Sequence, residues 1–391
     1  MRSSEFRASL TTGRAAKAEP FRALPHLYSC CLALTLSLCA FLASVQFASA
    51  EIVLTDIEGR AVTIAAPARR ILLAAPSWYP ALAILDKEAA ERIVGVGGNP
   101  ADALPEAEQD LSGKPRVGST WSGTFSIEKA LGLEPDIVIA GRSSGAQSQV
   151  MESAFAKAGV PVVYVDFDSN PVRDTDRSFE ILGRVLGAEG KAAEFIGFYR
   201  RHVRTITDRL TPGLARPTLL MMPHGRGVPC CLASPDNGVT AYFGGLGVEN
   251  IAGVTKGGPV QFSLESIIER DPDVFVAIDP FSDSRSMFGR PRSPAQGMAS
   301  LEALKQEPGL RELAAVRSGR VHALDSYLMR SPLSFVTFEA LAKWLHPELF
   351  ADVDPQATLD EINRRFLKTP LEGPFWTSLD PATDRPPGER Q

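Results

Sequence analysis

The chain has 391 residues, of which 44% are hydrophobic and 22% charged, and its formal net charge at pH 7 is −5. This is the composition of a folded globular protein long enough for two ordinary domains, and it argues against a largely disordered chain. Acidic residues outnumber basic ones by 46 to 41, so the chain is not expected to bind nucleic acid, whose phosphates attract basic proteins.

The first fifty residues have the order of an export signal. Five basic residues precede an apolar run at residues 32–47, which is followed by Ala48-Ser49-Ala50. The run is shorter than the ~20 residues that a membrane-spanning helix needs, so a signal peptide cleaved after Ala50 is favoured over a membrane anchor. Cleavage would remove five basic and two acidic residues, leaving 36 against 44 and a net charge of −8.

Only two of the five cysteines, Cys230 and Cys231, lie beyond this leader. Neighbouring cysteines can close only a strained ring, so a vicinal disulfide, a reduced pair and a contact with ligand all remain open. No other cysteine could complete a metal site on this pair.

Short β-branched runs alternate with amphipathic helical segments along the rest of the chain. This alternation predicts parallel sheets covered by helices. It restarts near residue 218, so two α/β units are expected. The predicted strands, the first two of which form an opening hairpin, are residues 52–56, 61–64, 70–74, 93–96, 136–140, 162–165, 218–222, 273–278 and 320–324, with a helix at 79–85.

An internal repeat supports the two units. Residues 125–140 read FSIEKALGLEPDIVIA and residues 262–277 read FSLESIIERDPDVFVA, without a gap between them. Each copy has a serine suited to cap a helix, a glutamate two positions later and Pro-Asp before a buried strand. A generic helix-turn-strand segment could match the apolar positions by chance, but would not so readily match Phe-Ser-x-Glu and Pro-Asp as well. We therefore predict two related lobes that carry this unit at equivalent places.

The segment between the two units predicts a helical connector. Residues 174–210 contain no proline and carry apolar residues at helical spacing, while three glycines near the middle predict a break. An ordinary packing helix is the alternative interpretation. The predicted organisation is a signal peptide at 1–50, an N-terminal α/β lobe at 51–172, the connector at 173–212, a C-terminal α/β lobe at 213–369 and a C-terminal tail at 370–391.

An enzyme of the exported compartment is the alternative from another class. The sequence has no Walker loop and no His-Glu-x-x-His motif. Ser234 and the cysteine pair could be nucleophiles in principle, but neither lies in a recognisable base-orienting context. No catalytic residue and no cofactor are therefore assigned, and a binding protein is favoured.

The ordered segments resemble class III periplasmic binding proteins, the group that serves importers of ferric siderophores, haem and vitamin B12. The resemblance spans roughly residues 51–367 and rests on order and spacing, since none of its motifs is catalytic. It is carried by DIEGRAVTI, RRILLAAP, VGSTWSGTFSIEKALGLEPDIVIAG, LGVENI, SLESIIERDPDVFVAID and SGRVHAL.

This resemblance implies an α/β fold of two Rossmann-like lobes with mostly parallel central sheets, joined by one long α-helix, with ligand held between the lobes. It implies a monomeric periplasmic protein that delivers an iron chelate to the permease dimer of an ABC importer. It also implies that a glutamate of each lobe docks against permease arginines, and the matching positions are Glu128 and Glu265. Helix capping is the alternative role, because a first-turn glutamate stabilises a helix by about 0.3–1 kcal/mol.

Ligands of open α/β sheets bind beyond the carboxyl ends of the strands, so the loops there hold the candidate residues. Aromatic rings offer flat apolar surface, and arginines can bind anionic groups of a chelate through charge-assisted hydrogen bonds. Core packing or a solvated surface position is the alternative for each of them. The candidates are Trp78, Tyr79, Trp121 and Arg142 in the first lobe and His224, Arg226, Tyr242, Arg285 and Tyr327 in the second.

Haem or a corrinoid is the alternative ligand. Haem needs only one or two axial ligands, which Tyr79 with His224 or Tyr242 could supply. A bare metal ion would need several histidines or carboxylates close together, and no such cluster is visible, so no metal site is predicted.

Overall fold

The computed structural model describes residues 51–98, 104–120, 122–141, 146–223, 231–236, 240, 243–253, 260–278 and 294–379. The predicted signal peptide at residues 1–50 lies outside the described residues. Within the described part, no helix is both long enough and apolar enough to cross a membrane.

The described chain opens with the predicted antiparallel hairpin. Strands β1 (Ile52–Thr55) and β2 (Ala61–Ile64) pair along their whole length. The turn between them covers the edge of the neighbouring sheet: Asp56 accepts from the backbone N–H of Tyr164 at 3.3 Å, and Arg60 donates to the carbonyl of Val162 at 2.8 Å. Side chains thus replace a partner strand there, which protects an exposed edge from pairing with other chains.

The N-terminal sheet has four parallel strands in the order β4-β3-β5-β6. Its strands are apolar and almost wholly buried, as expected when helices cover both faces. The strands are β3 (Ile71–Leu73), β4 (Ile93–Val96), β5 (Ile137–Gly141) and β6 (Val162–Val165), and the helices among them are α1 (Tyr79–Leu85), α2 (Ala89–Arg92), α3 (Pro105–Asp110), α4 (Ile127–Leu131) and α5 (Ala146–Lys157).

Two helices then lead to the second sheet, α6 (Pro171–Leu186) and α7 (Glu189–Thr207). Gly187 ends α6 in the left-handed conformation, with φ at 68°. Glycine adopts this conformation without steric cost, so the predicted break is confirmed.

The C-terminal sheet has five strands in the order β13-β12-β11-β7-β9, of which only β13 runs antiparallel to its neighbour. The strands of this half are β7 (Thr218–Pro223), β8 (Leu232–Ala233), β9 (Glu249–Asn250), β10 (Val260–Gln261), β11 (Val274–Ile278), β12 (Val321–Leu324) and β13 (Trp376–Ser378). Strands β8 and β10 form a separate antiparallel pair. The helices are α8 (Leu264–Arg270), α9 (Pro294–Leu304), α10 (Ala314–Arg317), α11 (Ser326–Met329), α12 (Ser334–Leu345) and α13 (Pro355–Arg365).

Part of the predicted C-terminal tail belongs to the C-terminal sheet, as strand β13. Residues 376–378 pair with β12 instead of extending away from the fold, and Phe375 just before them is 2% exposed. Backbone groups of this segment gain hydrogen bonds only because the rest of the sheet is present.

The two sheets repeat one topology. Strands β4, β3, β5 and β6 of the first sheet correspond in order and direction to β9, β7, β11 and β12 of the second. The repeat segments occupy equivalent places, since one leads into β5 and the other into β11. The structure therefore has the predicted α/β architecture of two duplicated lobes.

Equivalent side chains of the two repeat copies make the same hydrogen bonds. Ser126 and Ser263 each accept a hydrogen bond from the backbone N–H three residues later, at 3.2 and 3.1 Å, and so cap α4 and α8. The aspartates before the strands each hold the start of the adjacent strand: Asp136 accepts from the backbone of Arg70 at 3.0 Å, and Asp273 accepts from that of Thr218 at 2.8 Å.

The apolar core of the N-terminal sheet extends into the chain between β12 and β13. The ring of Phe195 on α7 lies 4.4 Å from that of Phe179, 6.3 Å from that of Phe335 on α12 and 5.2 Å from that of Phe366 after α13. Helix α7 is thus clamped by aromatic side chains from both halves. Because this core crosses the predicted lobe bounds, those bounds stay a prediction.

Candidate functional site

The carboxyl ends of β3, β5 and β6 lie side by side, and the side chain of Trp78 lies across them. Trp78 follows β3 and packs on Gly141, the last residue of β5, and its ring centroid lies 6.1 Å from that of Phe167, just after β6. The side chain is buried, with 5% of the residue exposed, and its indole Nε1 has no hydrogen-bond partner among the described residues. Trp78 therefore lies beneath this edge of the sheet with a donor that has no partner in the described part of the chain.

Gly141 makes this arrangement possible, because a Cβ at that position would collide with the indole of Trp78. Gly141→Ala is therefore expected to destabilise the protein by about 1–3 kcal/mol, the usual cost of overpacking. Gly190→Ala is the matched control: Gly190 lies in the first turn of α7 with open space around it, so alanine should be neutral or stabilising by up to about 1 kcal/mol. Urea unfolding followed by near-ultraviolet circular dichroism measures both, and equal stabilities would contradict the close packing of Trp78.

Tyr79 begins α1 and is 3% exposed. Its hydroxyl donates to Asp110 Oδ2 at 2.9 Å. Burial, reinforced by the carboxylate of Asp110, raises the pKa of Tyr79 well above its ordinary value. A phenolate is therefore disfavoured here, which opposes the predicted role of Tyr79 as an axial ligand to haem iron. Its contact with another ligand stays a prediction.

Charged residues follow equivalent strands of the two sheets. Asp168 follows β6, and Arg330 follows α11, which comes directly after β12, the equivalent strand of the other sheet. Burial and the nearby Asp166 raise the pKa of Asp168 to about 6, and Arg330 opposes the rise.

Tyr327 comes from the same end of β12. It lies in α11, which Asp325 caps by accepting from the backbone N–H of Tyr327 at 3.0 Å. With 8% exposure, Tyr327 belongs to the same apolar core as Trp78 and Tyr79. The structure thus brings together these three predicted aromatic residues from both halves of the chain.

The other six candidate ligand residues lie outside the described residues. Cys230, the neighbour of Cys231, also lies outside the described residues. Cys231 itself is buried and disulfide-bonded, so it is not a free thiol. The candidates outside the described residues, whose roles stay predictions, are Trp121, Arg142, His224, Arg226, Tyr242 and Arg285.

The two repeat glutamates occupy equivalent exposed positions. Glu128 lies in the first turn of α4 and Glu265 in the first turn of α8, and both side chains are exposed. The fold therefore presents one carboxylate from each half on matching surfaces.

The described histidines lie away from the site. His202 Nδ1 lies 2.7 Å from Glu339 Oε1, His322 Nδ1 lies 2.8 Å from Ser378 Oγ, and His346 Nε2 lies 2.8 Å from a backbone carbonyl. In the described part of the chain, no three His, Cys, Asp or Glu side chains come together as a metal site.

A groove of about 310 Å³ lies beside Arg60, Glu152 and Val162. Val162 is the first residue of β6, so the groove lies at the opposite end of this strand from Asp168. It is therefore separate from the candidate ligand site.

The sequence also contains one catalytic motif that was not predicted. Residues 141–145 read Gly-Arg-Ser-Ser-Gly, which matches the nucleophile elbow of hydrolases, and they stand between β5 and α5. Ser143 lies outside the described residues. A catalytic serine also needs a neighbouring base and an oxyanion hole, so the motif alone does not assign catalysis.

Comparison with known proteins gives a consistent result. Residues 77–328 match a family model described as periplasmic binding protein. The chain is 24% identical over 379 residues to the molybdate-binding protein MolA of Haemophilus influenzae, covering 86% of this chain and 96% of that protein.

Solved structures show the same fold. The TroA-like periplasmic binding protein FepB from Veillonella parvula is 24% identical with a TM-score of 0.73, and the match covers 84% of this chain and 99% of that one. A periplasmic heme binding protein from Pseudomonas aeruginosa is 22% identical with a TM-score of 0.54, covering 80% and 98%. At these identities the structures establish a shared fold and leave the ligand open.

Proposed function

The chain belongs to the periplasmic binding protein family, as a substrate-binding protein of ABC importers, and on that premise we propose that it carries an iron chelate of the ferric siderophore type. The chelate binds between the carboxyl ends of the two sheets. Slight closure of the lobes retains it, and the loaded protein delivers it chemically unchanged to a permease in the inner membrane.

The observation that carries this proposal is the approach of the two duplicated sheets at their carboxyl ends. Trp78 and Phe167, which follow strands of the N-terminal sheet, share one apolar core with Tyr327, which follows β12 of the C-terminal sheet. In open α/β sheets this is the edge where ligands bind. At the same edge, the buried indole of Trp78 adds a donor that has no partner within the described ranges.

The chemistry of the loops favours a chelate with flat and anionic parts. Trp121 offers an aromatic face, and Arg142, Arg226 and Arg285 offer fixed positive charge from both halves. Catecholate and carboxylate chelates of iron have matching groups. A haem or corrinoid remains the alternative of the same class, although the raised pKa of Tyr79 argues against a phenolate ligand there.

Molybdate is a second candidate, favoured by the similarity to MolA over most of both chains. A small oxyanion would need several convergent hydrogen-bond donors. The indole N–H of Trp78 is one such donor, whereas the carboxylates of Asp166 and Asp168 would repel an anion nearby.

Delivery is proposed to use Glu128 and Glu265 as a matched pair of contacts with arginines of the permease dimer. Their equivalent, exposed positions on the two repeats support this proposal. A pair of like charges on duplicated surfaces fits a partner built of two subunits.

The test is to purify the protein from the periplasm of its native host and to measure its absorption spectrum, its native mass and its metal content. We expect one equivalent of an iron chelate and a protein mass that corresponds to a chain beginning at Glu51. A Soret band would instead select haem, and molybdenum without iron would select molybdate. Conversion of the bound ligand during incubation would show an enzyme and contradict a carrier.

A further inference from the structure

After α13 the chain crosses back from the N-terminal core to the C-terminal sheet. Residues 366–375, here called the strap, leave α13, lie against α7 and the N-terminal half, and re-enter the C-terminal sheet as β13. Phe366, Leu367 and Leu371 are each at most 6% exposed and belong to the same core as the N-terminal sheet. The strap is therefore a further chain connection between the two halves, in addition to α7 and to the segment that joins β12 to α12, whose Leu333 and Phe335 also lie in this core.

Polar contacts fasten the strap to one face of the N-terminal half. Thr369 Oγ1 donates to Asp110 Oδ1 at 2.7 Å, and the backbone N–H of Glu372 donates to Glu106 Oε1 at 3.0 Å. Lys368 forms an ion pair with Glu88. Both acceptors Asp110 and Glu106 belong to α3, so a single short helix holds the middle of the strap.

Asp110 is the residue at which these contacts meet. Its other oxygen accepts from the hydroxyl of Tyr79, which follows Trp78 at the edge of the sheet. The carboxylate therefore links the strap to the segment beneath the proposed ligand site. The pair of Lys368 and Glu88 contributes little by comparison, because both side chains are more than half exposed, at 58% and 52%.

We propose that the strap is a further restraint on the angle between the lobes and that Asp110 is the positioning residue that fastens it. Without the strap, the lobes would be joined only by α7 and by the segment from β12 to α12, and could tilt about these connections. With the strap in place, opening must also displace buried side chains and break the hydrogen bonds at Asp110 and Glu106. The restraint would hold the cleft near one width whether or not ligand is present.

The test combines two measurements on the exported protein. Hydrogen exchange at the amide of Glu372 reports whether the strap is attached. Single-molecule energy transfer between dyes at Lys129 and Glu269, each replaced by p-azidophenylalanine, reports the distance between the lobes. Both positions are exposed, one on α4 and the other on α8.

Asp110→Ala is expected to speed exchange at Glu372 by about tenfold or more and to broaden the distance distribution toward larger values. Thr369→Val should have the same effects to a smaller degree. Lys368→Met, the control, should change neither measurement. If Asp110→Ala does not fold, Thr369→Val decides the question, because valine matches threonine in shape and removes only the hydroxyl.

Two results would overturn the proposal. Unchanged exchange at Glu372 would mean that Asp110 does not fasten the strap. Faster exchange with an unchanged distance distribution would mean that the strap does not restrain the lobes. Neither measurement needs a ligand, so this proposal can fail while the proposed function stands.

Discussion

Replacing Glu128 and Glu265 together by alanine is expected to reduce ligand uptake by about a hundredfold or more while changing ligand affinity by less than about twofold. Truncating one partner of a buried, hydrogen-bonded charge pair at an interface costs about 2–5 kcal/mol, and each tenfold change corresponds to about 1.4 kcal/mol. Both carboxylates are exposed on the first turns of α4 and α8. Their removal should therefore affect docking and not the cleft.

Uptake of radioactive iron, supplied as a tricatecholate chelate, and binding of the same chelate to the purified protein give the two readings. The matched control is the pair Glu180→Ala and Glu348→Ala, which removes the same charge from exposed positions outside the repeats. This control should retain uptake. A parallel loss of affinity in the repeat variant would show that these glutamates act on the ligand instead of the permease.

Acid is expected to destabilise the protein through His322. This residue lies in β12, 1% exposed, with its ring stacked on that of Trp344 at 4.4 Å and its Nδ1 2.8 Å from Ser378 Oγ. Burial, with a smaller contribution from Arg320, lowers the pKa of His322 to about 3. The imidazole is therefore neutral in the folded protein across the physiological range.

The direction of the pH effect follows from proton binding. The unfolded chain takes up a proton near the ordinary histidine pKa of about 6.5, whereas the folded protein does so only near 3. Between these values the unfolded state binds more protons, so the free energy of unfolding falls as the pH falls, by about 1.4 kcal/mol per pH unit. The total loss from this residue is roughly 5 kcal/mol, complete near pH 3.

Urea unfolding of the wild type and of His322→Asn at several pH values between 7.5 and 4 measures this effect. Asparagine should lower stability at pH 7.5, because it loses the packing on Trp344, and should make stability less dependent on pH. Ser378→Ala, the control, removes the hydroxyl but keeps the titrating ring, so it should keep the wild-type slope. An unchanged slope in His322→Asn would assign the acid sensitivity to other groups.

The sequence alone determined the strands that build the two sheets' parallel cores and the duplication that relates them. The structure has strands at Ala61–Ile64, Ile93–Val96 and Val162–Val165 and a helix at Tyr79–Leu85, with the predicted bounds. Such elements depend on local features: side-chain periodicity, capping serines and glycines with positive φ. The repeat was visible for the same reason, since each copy encodes its own cap, helix and strand within sixteen residues.

Only the tertiary structure decided which elements meet. Tyr79 was predicted as a ligand contact, yet its hydroxyl is bonded to Asp110, which in turn accepts from Thr369, 259 residues later in the chain. Likewise, β13 is a three-residue strand whose hydrogen bonds exist only beside β12. Neither contact leaves a periodic signal in the sequence. Local pattern specifies what a segment can become, whereas the partner of a buried polar group depends on which distant segment the packed core brings against it.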